Sequence, residues 1–278
     1  MKIAVVGSGI SGLSAAYYLS KNHHVDLFEK EDHFGGHSHT IDLTFGAKKI
    51  SVDIGFIVFN YKTYPNLIKF FDENKIEIEK SDMSFSVSVN DSPFEYCGRG
   101  LNGIFSNRYN LINLKFLRMF FDIIRFYKKF DNFYELNDEI TLGDYLNKEK
   151  VSKEFINYHL IPMVSAIWSM PPYEANQMPL KFFLKFFQNH GLFKLKNRPQ
   201  WYTVSNRSRT YVENILSKIS GEHFKNYQVT KIKCNTNGIN LYYGAESEFF
   251  NYDKVILATH ADEALSMIED PSEDEKKI

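Results

Sequence analysis

Lys2-Ile3-Ala4-Val5-Val6-Gly7-Ser8-Gly9-Ile10-Ser11-Gly12 is the stretch whose reading decides the fold. Residues 2–6 form a short apolar run, three glycines come next at a spacing of two and three, and residues 13–19 have helical periodicity. The order is strand, tight turn, helix. Gly7 lets the chain turn sharply, Gly9 keeps a Cβ out of the path of an approaching phosphate, and Gly12 lets the helix pack closely on the strand. Ile10 and Ser11 place the free amides of the first helical turn toward the same anion. A second strand over residues 25–28 runs into Glu29 and Lys30, about twenty residues on, where a carboxylate accepts hydrogen bonds from ribose hydroxyls. Together these elements read as a device for holding a dinucleotide by its pyrophosphate.

The residues after Glu29 separate two kinds of dinucleotide. A nicotinamide-binding unit continues into a second helix and a third buried parallel strand. Here a polar loop leads to Gly35-Gly36-His37, and then to an alternating hairpin over residues 41–54 that turns near Gly46-Ala47-Lys48-Lys49. A second glycine pair just past the acidic residue lets more backbone reach the pyrophosphate. This pattern resembles the signature of FAD-binding flavoproteins of the amine oxidase superfamily, and it favours FAD over NAD(P). The fold class expected is α/β: an interrupted Rossmann-like FAD-binding domain with a substrate domain of β-sheet and helical insertion.

Further motifs extend the resemblance over nearly the whole chain. Asp53-Ile54-Gly55-Phe56-Ile57-Val58-Phe59-Asn60, followed by Tyr64-Pro65-Asn66-Leu67, looks like the segment that in this superfamily runs beneath the flavin ring. The segments at residues 82–87 and 199–201, Ser208-Arg209-Thr210-Tyr211-Val212, and residues 255–262 look like landmarks of one bacterial branch. Some relatives in that branch are associated with modified fatty acids. The resemblance implies cofactor contacts at Gly55, Phe56 and Ile57, and a backbone contact from Val229 to the adenine. Two positions depart from the pattern. His37 stands where amine oxidases commonly carry Arg, which gives a weaker and pH-dependent phosphate contact. Asn206-Arg207 replaces a glycine pair, and since Arg does not readily adopt positive φ, a different turn is expected there. Family members also continue past residue 278 into a segment that touches the flavin, so a C-terminal completing segment is expected to be absent and the chain to be a truncated form.

Composition sets the outer limits. The 278 residues carry 33 Lys and Arg against 34 Asp and Glu, a net charge of −1 without the basic footprint of a nucleic-acid binder. With 44% hydrophobic and 24% charged residues the chain reads as globular. No run of eighteen apolar residues is present, the first strand starts at Lys2 with no room for a signal peptide, and a cytoplasmic protein is expected. Cys97 and Cys234 lie far apart and read as reduced packing residues.

Residues 1–64 are read as the first part of the FAD-binding domain, 65–210 as the substrate domain with a helical insertion near residues 103–190, and 211–278 as the FAD-binding domain resumed. The resumed part should contain two strands of a small meander, at residues 227–232 and 238–243. A wheel of residues 115–130 sets Lys115, Arg118, Arg125, Lys128 and Lys129 against an apolar side rich in aromatics. Such a helix packs on a core or lies on an anionic membrane, and the first is the more common outcome. The same choice holds for Phe182, Phe183, Phe186 and Phe187, between core and the lining of an acyl pocket. His33, His37 and His39 share a loop, but one already committed to pyrophosphate, so no metal is expected. His159, His190 and His260 are candidate bases, and Tyr61, Tyr64, Trp168 and Trp201 candidate cavity residues; no catalytic residue is assigned. The expected function is FAD-dependent oxidation of a C–H bond in an apolar substrate, an acyl chain of a modified fatty acid or lipid being the leading class. The alternatives are an amine oxidase, a polyene desaturase, or a non-catalytic nucleotide-binding subunit.

Overall fold

In the computed structural model, residues 1–90, 94–130, 140–195, 197–244 and 248–277 are described. The chain forms two compact units. One contains Met1–Phe59, Pro65–Lys80 and Tyr202–Ile278, and the other Asn60–Tyr64 and Ser81–Trp201.

A four-stranded parallel sheet organises the first unit. Lys2–Val6 lies between His24–Phe28 on one side and Lys254–Leu257 on the other, with His223–Phe224 beyond His24–Phe28. Val5 is opposite Leu27 and Ile256. These strands read as apolar runs because a central parallel strand is covered on both faces, and Ala4, Val5, Val25, Leu27 and Phe28 are fully buried. Helix Ile10–Ser20 buries Gly12, Leu13 and Ala16. The hairpin falls at Thr40–Phe45 and Lys48–Asp53. The meander has three strands, Val229–Asn235, Gly238–Tyr243 and Glu248–Tyr252, one more than expected.

Residues 65–80 and 202–210, expected in the substrate domain, group with this first unit instead. The reason is aromatic packing: in helix Pro65–Asn74, Phe70 meets Tyr17 edge-on at 5.5 Å and Phe71 meets Tyr211 at 5.1 Å. The Asn206-Arg207 turn has the backbone a glycine pair would adopt, with φ of 61° and 78°. Arg207 holds this strained geometry while its Nε donates to the Ser51 carbonyl at 2.7 Å. Ser208 and Arg209 acquire structural roles. Asp53 accepts from the Ser208 backbone amide and hydroxyl at the start of helix Ser208–Leu216, and Arg209 donates to Asp42 and to the Thr40 carbonyl.

The second unit has a short hairpin, Ser86–Ser88 with Glu95–Cys97, and a set of helices around an aromatic core. Helix Leu114–Phe130 turns Phe116, Met119, Phe126, Tyr127 and Phe130 into that core. Phe183 and Phe187 join it with ring centroids 4.3 Å apart, whereas Phe182 is exposed. Each fully buried aromatic or aliphatic side chain of this kind contributes roughly 1.5–3 kcal/mol.

Candidate dinucleotide-binding site

A cleft of about 520 Å³ opens in the first unit where Lys2–Val6, His24–Phe28 and Lys254–Leu257 end. Ligands of open parallel sheets bind at the carboxyl ends of the strands. The Gly7 amide donates to the Phe28 carbonyl at 2.8 Å, tying the turn to the neighbouring strand. Gly7 has φ +97°, and a Cβ on Gly12 would stand 1.8 Å from the Gly7 carbonyl oxygen, so both glycines are obligatory for the backbone itself. Gly9 differs: a Cβ there would meet no atom within 4 Å. Its surroundings are an open cradle on the cleft wall, beside the free first-turn amides of helix Ile10–Ser20.

Ser8 joins the two glycine turns. Its amide donates to Glu29 Oε2 at 3.0 Å, its hydroxyl donates to the same oxygen, and the hydroxyl oxygen accepts the Gly35 amide at 3.1 Å. The other oxygen of Glu29 accepts the Glu31 amide at 3.0 Å. Each carboxylate oxygen accepts two hydrogen bonds, so Oε1 keeps capacity for a hydroxyl. Gly35 and Gly36 have φ of +116° and +55°, and a Cβ on Gly36 would approach the Gly9 Cα to 2.9 Å. The two turns are therefore in van der Waals contact, and only glycines permit it.

Of the residues expected from sequence, Gly7, Gly9, Glu29, Lys30, Gly36, His37 and Val229 line this one cleft. Gly12 and Gly35 shape it from behind. Ile10 and Ser11 sit at the helix start, with the Ile10 side chain exposed away from the cleft. Gly55 and Phe56 do not line it: the Phe56 amide donates to the His37 carbonyl at 2.7 Å, and a Cβ on Gly55 would lie 2.0 Å from that oxygen. They buttress the loop that presents His37. Ile57 is exposed, its carbonyl accepting from Thr203. Further wall comes from Ala258, Thr259, His260, Glu263 and Met267, together with Tyr227 and Gln228. Sequence alone marks residues 258–260 only as a landmark; the visible signal is a strand followed by a helix start, the same grammar as at Gly7. Lys30 Nζ meets Glu263 Oε1 at 2.7 Å, and this hydrogen bond and the carboxylate charge hold Lys30 above the usual lysine range.

The histidines separate by setting. His37 and His260 face each other across the cleft with ring centroids 6.0 Å apart, while His33 stacks on His39 at 3.7 Å. Among the described residues no three His, Cys, Asp or Glu side chains converge as a metal site. His159 is buried in the second unit on a π-helical turn, Ile156–Leu160. Its Nδ1 is 2.8 Å from the Tyr96 hydroxyl and its Nε2 2.9 Å from the Tyr127 hydroxyl. Tyr96 donates its single proton to the Tyr158 carbonyl at 2.9 Å. That leaves Nδ1 as the donor to Tyr96, and Tyr127 as the donor to Nε2. Burial pushes His159 down to about 3 and pushes both tyrosines up, so the trio is neutral and structural. His190 and Trp201 do line a cavity, a cleft of about 450 Å³ in the second unit that also holds Met83, Arg99 and Arg198. Trp168 packs against Phe186 at 4.6 Å instead. Cys97 and Cys234 are unpaired thiols, and hydrogen bonding from Ser86 lowers the Cys97 thiol from its ordinary value.

Residues 5–74 match the family described as NAD(P)-binding Rossmann-like domain. No curated protein sequence matches the chain. Solved structures match it over almost its full length. An oxidoreductase from Methanosarcina mazei is 17% identical with a TM-score of 0.62, the match covering 99% of this chain and 63% of that one. A putrescine oxidase redesigned for cofactor binding is 16% identical with a TM-score of 0.68, covering 99% and 62%. A fatty acid isomerase from P. acnes that produces CLA is 14% identical with a TM-score of 0.57, also covering 99% and 62%. The chain thus spans a little under two thirds of the length of these structures. Residues 5–74 are thus similar to a Rossmann-like dinucleotide-binding domain, and the chain as a whole shares its fold with these solved oxidoreductase and isomerase structures.

Proposed function

We propose that this chain binds FAD and serves an oxidoreductase that removes a hydride from one C–H bond and a proton from the neighbouring carbon of an apolar substrate, leaving a double bond in an acyl chain of a fatty acid or lipid. The observation that carries the reading is the contact between the two glycine turns, locked through Ser8 and Glu29 around the open cradle at Gly9. A nicotinamide site needs only the first of those turns. The groups present fit the cofactor. Amides of the turn at Gly9, Ile10 and Ser11, with the backbone at Gly36, hold the pyrophosphate; Glu29 Oε1 takes a ribose hydroxyl; backbone at Val229 meets the adenine. His37 adds a phosphate contact from the loop that Gly36 begins. When bound, the flavin supplies the two-electron acceptor. The apolar substrate class rests on the branch motifs; the cleft of the second unit sets Met83, Leu192 and Trp201 beside Asp82, Arg99, His190 and Arg198, so it also offers charged partners to a polar head group. Two unpaired cysteines suit the reducing cytoplasm.

An absorbance spectrum of the purified chain after incubation with FAD and desalting tests this directly. Retained flavin bands, bleached anaerobically by fatty acyl substrates, are the expected result. Bleaching by amines with release of ammonia would move the substrate class to amines. A colourless protein that still binds ADP would reassign the chain to nucleotide binding without redox chemistry, and binding of neither would overturn the reading.

A further inference from the structure

We propose that the surface formed by residues 98–121 docks on an anionic lipid bilayer. The aromatic stripe of helix Leu114–Phe130, the face that a wheel would offer to lipid, is consumed by the core of the second unit. The face pointing the other way carries Leu114 and Phe121 among Lys115, Arg118, Arg125, Lys128 and Lys129, and the turn before it is apolar. Ile112 is 74% exposed, Leu114 80% and Phe121 64%, and Leu101, Tyr109 and Leu111 are exposed beside them.

This turn is inside out. Its asparagines are used to fix it: Asn110 is buried, with Nδ2 donating to the carbonyls of Glu95 and Ile104, and Asn113 Oδ1 accepts the amides of Lys115 and Phe116 at the helix start. The leucines and isoleucine that an ordinary surface turn would bury are held outward by that framework. Contiguous apolar exposure of this kind marks an interaction surface.

Charge selects the occupant. From Tyr96 to Phe121 the sequence holds Arg99, Arg108, Lys115 and Arg118 and no Asp or Glu. Arg99 pairs with Asp82; among the described residues the other three are exposed and meet no carboxylate. At about 100° per residue, Leu114, Arg118 and Phe121 share one side of the helix. Apolar tips seated at the boundary of headgroups and acyl chains, with cations at the phosphates, fit an anionic membrane surface. A second copy of this chain fits poorly, since a two-fold contact through this patch would set the same cations against one another. No helix among the described residues is long and apolar enough to cross a membrane, so the contact is peripheral. The inference is independent of the flavin: it concerns a surface of the second unit.

Vesicle flotation at physiological ionic strength tests it. The protein is expected to float with phosphatidylcholine vesicles that contain about one third phosphatidylglycerol, and to remain at the bottom with phosphatidylcholine alone. Because the residues are exposed, the variants keep the fold, which unchanged thermal unfolding verifies. Ile112→Ser with Leu114→Ser should weaken partitioning about tenfold, and Arg108→Gln with Lys115→Gln and Arg118→Gln by about tenfold or more. Absence of flotation with anionic vesicles overturns the proposal, as does flotation that neither variant changes. A dimer in sedimentation velocity that Leu114→Ser converts to monomer, without vesicle binding, overturns it in favour of a protein occupant.

Discussion

In the dinucleotide cleft, position is set by backbone. Gly7, Gly12, Gly35 and Gly36 occupy points where any Cβ would strike a main-chain atom, and Ser8 and Glu29 then fasten one glycine turn to the other. In the second unit, position is set by side-chain volume: rings of Phe126, Phe155, Phe183 and Phe193 fill the space, and the buried polar trio of Tyr96, His159 and Tyr127 is satisfied within itself and by the Tyr158 carbonyl. The first construction tolerates few residue types at fixed spacing and leaves a pattern a reader can see. The second tolerates many apolar solutions of similar volume and leaves none.

Substitutions can break that contrast or sharpen it. The largest effect is expected at Gly12→Val. The added Cβ would overlap the Gly7 carbonyl, so the strand and helix must separate, at a cost of more than about 4 kcal/mol. Urea denaturation and ADP titration should show stability and binding lost together; a folded variant that still binds ADP would refute the backbone account.

Next comes His159→Phe. A planar aromatic ring is kept, somewhat larger, but the Tyr127 hydroxyl loses the acceptor Nε2 and retains only Met163 Sδ at 3.7 Å, and about 1–3 kcal/mol of stability should go. Calorimetry should find that loss while ADP affinity stays unchanged. A parallel loss of ADP affinity would mean that the two units are not built independently.

The same residue predicts an acid response. Its folded value is depressed to about 3 from an ordinary 6.5, so the unfolded chain takes up a proton first as pH falls. The contribution is fully present above pH 6.5 and drains away as pH drops toward 3, the loss amounting to roughly 2 kcal/mol by pH 5. Denaturation midpoints measured across that window should fall for the wild type and less steeply for His159→Phe; equal slopes would place the titrating group elsewhere.

The smallest effect on stability, and the most informative, is expected at Gly9→Ala. The Cβ meets no protein atom and the residue already has an extended backbone, so unfolding free energy should change by less than about 0.5 kcal/mol. Isothermal titration should nevertheless show ADP binding weakened about tenfold, because the methyl group occupies space a phosphate would take. Unchanged affinity would remove Gly9 from the phosphate path.

The same contrast explains how much is legible in the sequence. The first strand reads as residues 2–6, and Lys2–Val6 is what forms; the helix and second strand come from glycine spacing and apolar runs. The far wall of the cleft, Ala258 to Glu263, goes unassigned because the chain returns to the site from more than two hundred residues away. The third meander strand, Glu248–Tyr252, escapes because pairing with Gly238–Tyr243 defines it more than any pattern of its own. Gly55 and Phe56 also buttress the loop at His37, a packing role that only three-dimensional contact reveals. At Asn206-Arg207 the expected change of turn does not occur, since the bonds donated by Ser208 to Asp53 and by Arg207 to Ser51 hold a glycine-like backbone in residues ill suited to it.

The sheet also fixes a schedule for the chain during synthesis. Lys2–Val6 leaves the ribosome long before one of its two partners, Lys254–Leu257, is made. Its other neighbour arrives within some twenty residues, while residues 81–201 form a contiguous stretch that can fold in between. The N-terminal strand therefore waits with one edge unpaired for most of this interval, when an apolar edge is most open to aggregation. A nascent chain stalled before residue 254 should hold a protease-resistant second unit and an N-terminal segment that trypsin still cuts.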